Sequence, residues 1–387
     1  MSIYDEKIDI EVEQTELEEV IRNPFNPADI KLTSNPMNLG DLIDMLSYDW
    51  INFATDYQRG QDLWSDIQQS RLIESAMLGL RLPAFYFEEI TKKQWNIIDG
   101  LQRCCAIKNF CIKKTFKLRG LEFLSDYEAK SFDELPFEIR RDIRMLPITT
   151  HVLNAGTPSA VKYILFKRLN TGGIPLNPQE IRNAIFQGVP MELVRELAGL
   201  PLFIEATQGK IPTKRMEDLD FVSRFLAFFL LDYATYQPDL NYFINTAMEK
   251  IQEDREKIDK KSVVSAFSNA MQLAIDLFGQ DAFRKRTDKN EDRKPLNKAY
   301  FEVISSTFAK LNSEERNALR EHKDRFLDNC ILCMQVIPTY NRSFSGGTAK
   351  IDSVECRHSY FKEVINYSIN NKEIQITDDK KIKAYQF

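Results

Sequence analysis

Between residues 84 and 111 the chain reads as strand, turn, strand, turn, helix, and no other stretch limits the fold as much. Two short runs, Ala84-Phe85-Tyr86-Phe87 and Gln94-Trp95-Asn96-Ile97-Ile98, are strand candidates separated by the charged connection 88–93. The second run stops at Asp99-Gly100, and from Cys104 to Cys111 the apolar spacing becomes helical. Such an order predicts a small mixed α/β layer. An aspartate at a strand-to-helix turn can cap the helix, and the glycine after it tolerates backbone angles that other residues avoid. Gln102 and Arg103 would then project from the first helical turn, where an anion is favoured. In isolation, however, Asp-Gly is a common turn dipeptide and Arg103 a solvated charge, so the plain turn is the better reading of these residues alone.

The flanking chain supports the layer. A short amphipathic helix opens at Asn38-Leu39-Gly40-Asp41, and a strand at Ile51 and Phe53 runs into the polar loop Asp56-Tyr57-Gln58-Arg59. A helix over 62–80 is expected to stop at Gly79, with Pro83 beyond. Further on come a helix over 138–144, a strand over 145–153 and a helix from Pro158 to Leu169. That helix leads to Asn170-Thr171-Gly172-Gly173, a turn whose N–H groups could form an anion nest. Asn177-Pro178-Gln179-Glu180 then has the order of an N-cap, a first-turn proline and a carboxylate reaching back, which predicts a helix over 178–186. From about residue 189 strand signals nearly vanish. Helices are expected over 191–197, 216–233, 242–256, 262–278, 297–311, 314–336 and 354–368. The division is therefore an N-terminal arm over 1–37, a mixed α/β domain over 38–188 and an all-α domain over 189–387.

With 387 residues, 43% hydrophobic and 28% charged, the composition is that of a globular protein of about two domains. The acidic start of the chain lacks a signal-peptide pattern, and the apolar run 225–231 is far too short to cross a bilayer, so no membrane role and a cytoplasmic location are expected. Six cysteines in that compartment are read as thiols. Cys330-x-x-Cys333, with Cys356 and His358 downstream, has the count of a zinc site, but the apolar helical face around it favours packing, so no metal is assigned. A net charge of −5 excludes a globally basic nucleic-acid coat. Locally the balance differs: residues 100–121 contain no acid, and Lys113, Lys114, Lys117 and Arg119 continue a basic strip that begins at Arg103. This strip could face phosphates or be a solvated surface.

Several motifs in one order then resemble a known family. Tyr57-Gln58-Arg59, Met77 to Pro83, Ile98-Asp99-Gly100-Leu101-Gln102-Arg103, Phe166 to Leu176 and Glu180-Ile181-Arg182-Asn183-Ala184 look like the amino-terminal domain of GmrSD modification-dependent restriction enzymes. The likeness extends weakly into the helical half through Lys214-Arg215-Met216-Glu217-Asp218 and Arg224-Phe225-Leu226. The resemblance implies a ParB-like, sulfiredoxin-like α/β fold. It also implies that an Asp-Gly-Gln-Gln-Arg motif binds and hydrolyses nucleoside triphosphates in members acting in anti-phage defence. Here the first glutamine of that motif is Leu101, which can neither donate nor accept a hydrogen bond.

By resemblance, the catalytic set is Asp99, Gln102, Arg103 and Arg59, with Asp99 orienting water and the arginines neutralising phosphate. Gln58, Gly100, Arg168, Asn170, Thr171, Gly172 and Gly173 would bind the nucleotide, with Mg2+ as an optional companion. Lys113, Lys114, Lys117 and Arg119 would contact DNA. Family enzymes often carry an HNH nuclease, but the three histidines here, His151, His322 and His358, are widely scattered, so cutting is expected of a separate nuclease subunit. A homo-oligomer is compatible with all of this. The resulting expectation is an NTP-hydrolysing component of a DNA-targeting restriction-like system. Two alternatives are a ParB-like nuclease acting directly on phosphodiesters, and a non-catalytic DNA-binding or assembly scaffold.

Overall fold

The computed structural model describes residues 9–11, 31–53, 64–91, 93–169, 176–254 and 256–385. They fall into two compact units: residues 25–177 with 183–185, and residues 1–24 and 178–182 with 186–387.

The first unit is built on a five-stranded mixed sheet. Its strands are β1 (Leu32–Asn38), β2 (Ile51–Asn52), β3 (Phe85–Thr91), β4 (Gln94–Asp99) and β5 (Pro147–Leu153). They lie in the order β1-β5-β3-β4-β2, with β1 antiparallel to β5, β5 parallel to β3, β3 antiparallel to β4 and β4 parallel to β2. Its helices are α1 (Leu39–Ser47), α2 (Asp66–Met77), α3 (Leu101–Ile107), α4 (Phe137–Met145) and α5 (Ser159–Leu169), with a π-helical turn (Lys108–Lys113) extending α3; α6 (Pro178–Ile185) is divided, residues 178–182 counting with the second unit and 183–185 with the first. The sequence reading placed residues up to 37 in an arm, whereas β1 is an edge strand of the sheet. Its pairing with β5 is fixed by residues more than a hundred positions away, and Pro36, opposite Thr149, is tolerated because an edge strand needs no N–H there.

Local chemistry explains the helix ends. The expected helix over 62–80 is α2, which starts where Ser65 and Gln68 cap each other: Ser65 N–H donates to Gln68 Oε1 at 2.9 Å, and Gln68 N–H donates to Ser65 Oγ. It ends as Gly79 turns left-handed, with φ +71°, and Leu80 N–H reaches back to the Ser75 carbonyl. Period-2 alternation puts Phe85 and Phe87 of β3 and Ile97 of β4 on one face, where they form one core with Leu42 and Leu46 of α1, Ile73 of α2, and Cys104 and Ile107 of α3. Glu88 of β3 is buried as well, and pairs with Lys162 of α5.

The second unit is helical, apart from isolated bridges. It comprises α7 (Val189–Ala198), α8 (Pro201–Ala206), α9 (Glu217–Leu230), α10 (Leu240–Glu253), α11 (Lys260–Phe278), α12 (Lys298–Phe308), α13 (Ser313–Glu321), α14 (Lys323–Val336), α15 (Pro338–Arg342) and α16 (Ile351–Ile369). The helix expected over 314–336 is two helices. His322 leaves helical angles, with φ −101° and ψ 32°, and its Nδ1 is 3.0 Å from the Ile369 carbonyl. Phenylalanines dominate the core, with Phe225 against Phe267 and Phe301 against Phe221 and Phe283.

Within this core lies a group of charges. Arg182 Nη2 donates to Asp220 Oδ1 at 2.7 Å, and Arg357 donates to Glu302 Oε1 through Nε and Nη2. Burial raises the Asp220 and Glu302 carboxyls, but Lys298, Arg224 and Arg182 around the first, and Arg357, His358 and Arg224 around the second, outweigh it and hold both below their usual range. Among the described residues, no helix is long and apolar enough to cross a membrane.

Candidate functional site at the end of strand β4

The corner expected at Asp99 is present, with different wiring. Gly100, not Asp99, is the N-cap of α3: it has φ +103° and its carbonyl accepts the Cys104 N–H at 2.8 Å. A Cβ at Gly100 would stand 2.7 Å from Phe85 Cδ1, so the turn requires glycine for space as well as for angle. Asp99 is thereby released from capping. Its Oδ2 accepts from Arg103 Nη2 at 2.8 Å, its other oxygen accepts no hydrogen bond among the described residues, and about a third of its side chain, 32%, is exposed.

Arg103 is more tightly held than a solvated or phosphate-seeking charge. Besides Asp99, its guanidinium donates to the carbonyls of Pro83 and Ala84 and lies 4.5 Å from the centre of the Phe85 ring, leaving 11% of the side chain exposed. It therefore ties the end of β4 to the start of β3. Gln102 Oε1 accepts the Trp64 N–H at 3.3 Å; the Trp64 carbonyl accepts from Gln69 Nε2, and Gln69 Oε1 from Asn109 Nδ2, so α3 and the start of α2 are joined by amides. Leu101 packs against the apolar core of this unit, as an aliphatic side chain at the first helical turn can. Cys104, next along, is fully buried, and burial pushes its thiol up.

The register supplies neighbours that the sequence reading missed. A shift between Tyr86 and Phe87 sets Asp99 opposite Tyr86, and Tyr86 pairs with His151 of β5. Tyr86 and His151 stack at 4.7 Å, and Ser34 Oγ is 2.8 Å from His151 Nδ1. Ser34, His151, Tyr86 and Asp99 thus follow one another across four strands. The alternation of β3 could have suggested Tyr86; no local signal gives the row.

Arg168 is exposed near the end of α5. Gln58, Arg59, Asn170, Thr171, Gly172 and Gly173 lie outside the described residues. The basic strip is present but partly neutralised. Lys113, Lys114, Lys117 and Arg119 are all exposed, yet Lys114 pairs with Asp133, and Lys117 pairs with Glu134 at 3.2 Å. The Ser131 N–H and hydroxyl, together with Lys117, hold Glu134 down at about 2. Lys113 and Arg119 have no acidic partner among the described residues.

The cysteine-rich stretch reads as packing. Cys330 and Cys333 are buried in α14, where burial raises both thiols, the second to about 12, and the described residues contain no cluster of metal-ligating side chains. Arg182 and Glu180 from the motif at 180–184 belong to the helical unit, where Glu180 takes two hydrogen bonds from Arg215.

No curated protein and no solved structure matches the chain significantly. A family model described as GmrSD restriction endonuclease, N-terminal domain, matches residues 39–187, a span that contains β2 to β5, the Asp99 corner and α1 to α6. Residues 39–187 are thus a domain of the GmrSD restriction endonuclease N-terminal family.

Proposed function

We propose that the chain is the nucleotide-handling component of a DNA-targeting restriction system, with the Asp99 corner as its nucleoside triphosphate site. The observation that carries this reading is the half-open carboxylate of Asp99, held by Arg103 beside a glycine turn that admits no side chain. A carboxylate fixed in this way can orient a water or, with Mg2+, an inner-sphere ligand at a phosphate. Arg103, already engaged three ways by the protein, acts as a positioning residue. Phosphate charge falls to Arg59, Arg168 and the 170–173 segment. The family's name supports the restriction setting, and through it DNA as a partner, with Lys113 and Arg119 as the contacts that no acid among the described residues neutralises. Cleavage is assigned to a separate nuclease.

The test is phosphate release from GTP, ATP, CTP and UTP by the purified chain, with and without duplex DNA, beside Asp99→Ala. Release that needs Asp99 is the expected result; release unchanged in Asp99→Ala would remove the site. A second reading rests on Leu101 and Arg103. An apolar residue sits where the motif has glutamine, and the arginine already donates to two protein carbonyls and to Asp99, which favours a site that binds nucleotide without turning it over. Binding without release would establish that reading.

A further inference from the structure

Residues Asp9–Glu11 are built into the helical unit as an added strand. Ile10 forms a parallel bridge with Leu296; the Leu296 N–H donates to the Asp9 carbonyl at 2.9 Å, and the Glu11 N–H donates to the Leu296 carbonyl at 2.8 Å. Leu296 also bridges Arg284 on its other side, so the guest strand extends a small existing pairing. Ile10 is buried between two acids that meet two cations. Asp9 accepts from Arg284 through both oxygens, at 3.2 and 2.7 Å. Glu11 accepts from Lys285 Nζ at 2.7 Å and from Asn297 Nδ2 at 2.9 Å.

The seat is anchored from its own side. Arg284 also donates to the Lys294 carbonyl, Lys285 to Ser345 Oγ and Asn297 to the Phe344 carbonyl. Only 2% of Arg284 and 9% of Lys285 is exposed, and cations so buried require acidic partners. What the seat reads is local: an extended backbone carrying acid, apolar, acid. Nothing in these contacts depends on the strand being covalently continuous with the unit that receives it. The tether serves only to raise the strand's effective concentration.

We propose that the helical unit carries a strand-addition site for an extended acidic–apolar–acidic peptide, which the chain's own Asp9-Ile10-Glu11 fills and which the same segment of a second copy can fill in exchange. The site is independent of the nucleotide reading and uses none of its residues.

The full chain carrying Asp9→Lys and Glu11→Lys tests this, because those changes disable the internal strand without altering the seat. A fluorescent peptide spanning residues 5–15 is titrated into this variant and into the unaltered chain, and anisotropy is read. Saturable binding to the variant is expected, at least about tenfold tighter than to the unaltered chain, where the tethered strand competes. A peptide with Asp9→Asn and Glu11→Gln is expected to bind about tenfold more weakly or worse, having lost the charge-assisted bonds. Equal affinity of the peptide for both chains, equal affinity of the neutral peptide, or no binding to a variant of unchanged helical circular dichroism would each overturn the proposal. If the lysine variant does not fold, the full chain with Asp9→Asn and Glu11→Gln replaces it, with the same outcomes read.

Discussion

Replacing Gly100 with alanine tests the geometry of the corner most directly. The new Cβ would meet Phe85 Cδ1 at 2.7 Å and Arg103 Nη2 at 3.3 Å, on a backbone with φ +103°. Phe85 has no easy retreat. It is fully buried, stacked on Phe87 with ring centres 6.3 Å apart, and covered by the Arg103 guanidinium. The backbone angle alone costs an L-residue about 1–2 kcal/mol. Forcing a packed ring aside adds about 1–3 kcal/mol. Roughly 2–5 kcal/mol is therefore expected from the two effects together. Gly79→Ala is the control: φ is +71° there, but nothing lies within 4 Å of the added Cβ, so only the angle term applies, about 1–2 kcal/mol.

The chain has two compact units, so a single two-state unfolding curve is not the right assay. All three tryptophans, Trp50, Trp64 and Trp95, lie in the α/β unit, and their fluorescence during urea unfolding reports on that unit selectively. Gly100→Ala should lower the tryptophan-detected midpoint well below that of Gly79→Ala. In a Phe85→Leu background, where only the backbone term is left at both sites, the gap between the two should nearly close. Equal midpoints for the two alanine variants would refute the close approach of Phe85 to the turn.

Other outcomes follow from buried groups. Glu74, lowered because the Glu122, Phe123 and Leu124 N–H groups outweigh the effect of burial, pins the 122–124 backbone to α2; Glu74→Ala should speed exchange of those three amides and cost about 1–3 kcal/mol, measured by hydrogen exchange and urea unfolding. Glu302 keeps a folded pKa below 4.5, so the stability it contributes is complete above that pH and lost as pH falls through the folded value. Burial lowers His358 below 6.5, so below that pH the unfolded chain takes up a proton that the native histidine resists, and stability falls in the same direction. Urea midpoints by circular dichroism should therefore drop from pH 7 to pH 4, and Glu302→Gln, which breaks the pair with Arg357, should cost about 3–5 kcal/mol at neutral pH and flatten the acid limb. Burial holds Cys104, Cys111, Cys330 and Cys333 protonated, so a thiol reagent at mildly alkaline pH should modify the half-buried Cys356 first, read by mass spectrometry of the native chain.

The sequence by itself determined the features that depend on near neighbours. Ser65 with Gln68 and Gly79 with Leu80 set the ends of α2 within a few residues, period-2 alternation marked β3 and β4, and the disappearance of strand patterns after residue 189 marked the helical half. The motif order pointed to the family whose model matches residues 39–187, because five short strings in one sequence order need no structure to be matched.

Only the tertiary structure decided what those residues do to one another. Asp99 looks like a helix cap in sequence, yet it is a carboxylate clamped by Arg103, because Phe85 of another strand leaves room at position 100 for glycine alone and the left-handed glycine takes the cap. The basic run 113–119 looks like a uniform strip, yet Asp133 and Glu134 neutralise half of the four cations expected to meet DNA. Ser34, His151 and Tyr86 reach the corner through strand register, and Arg182 finds Asp220 within the core of the helical unit. Such pairings join residues tens to more than a hundred positions apart. Their energies come from burial and charge in the folded chain, and no local pattern of residue types encodes them.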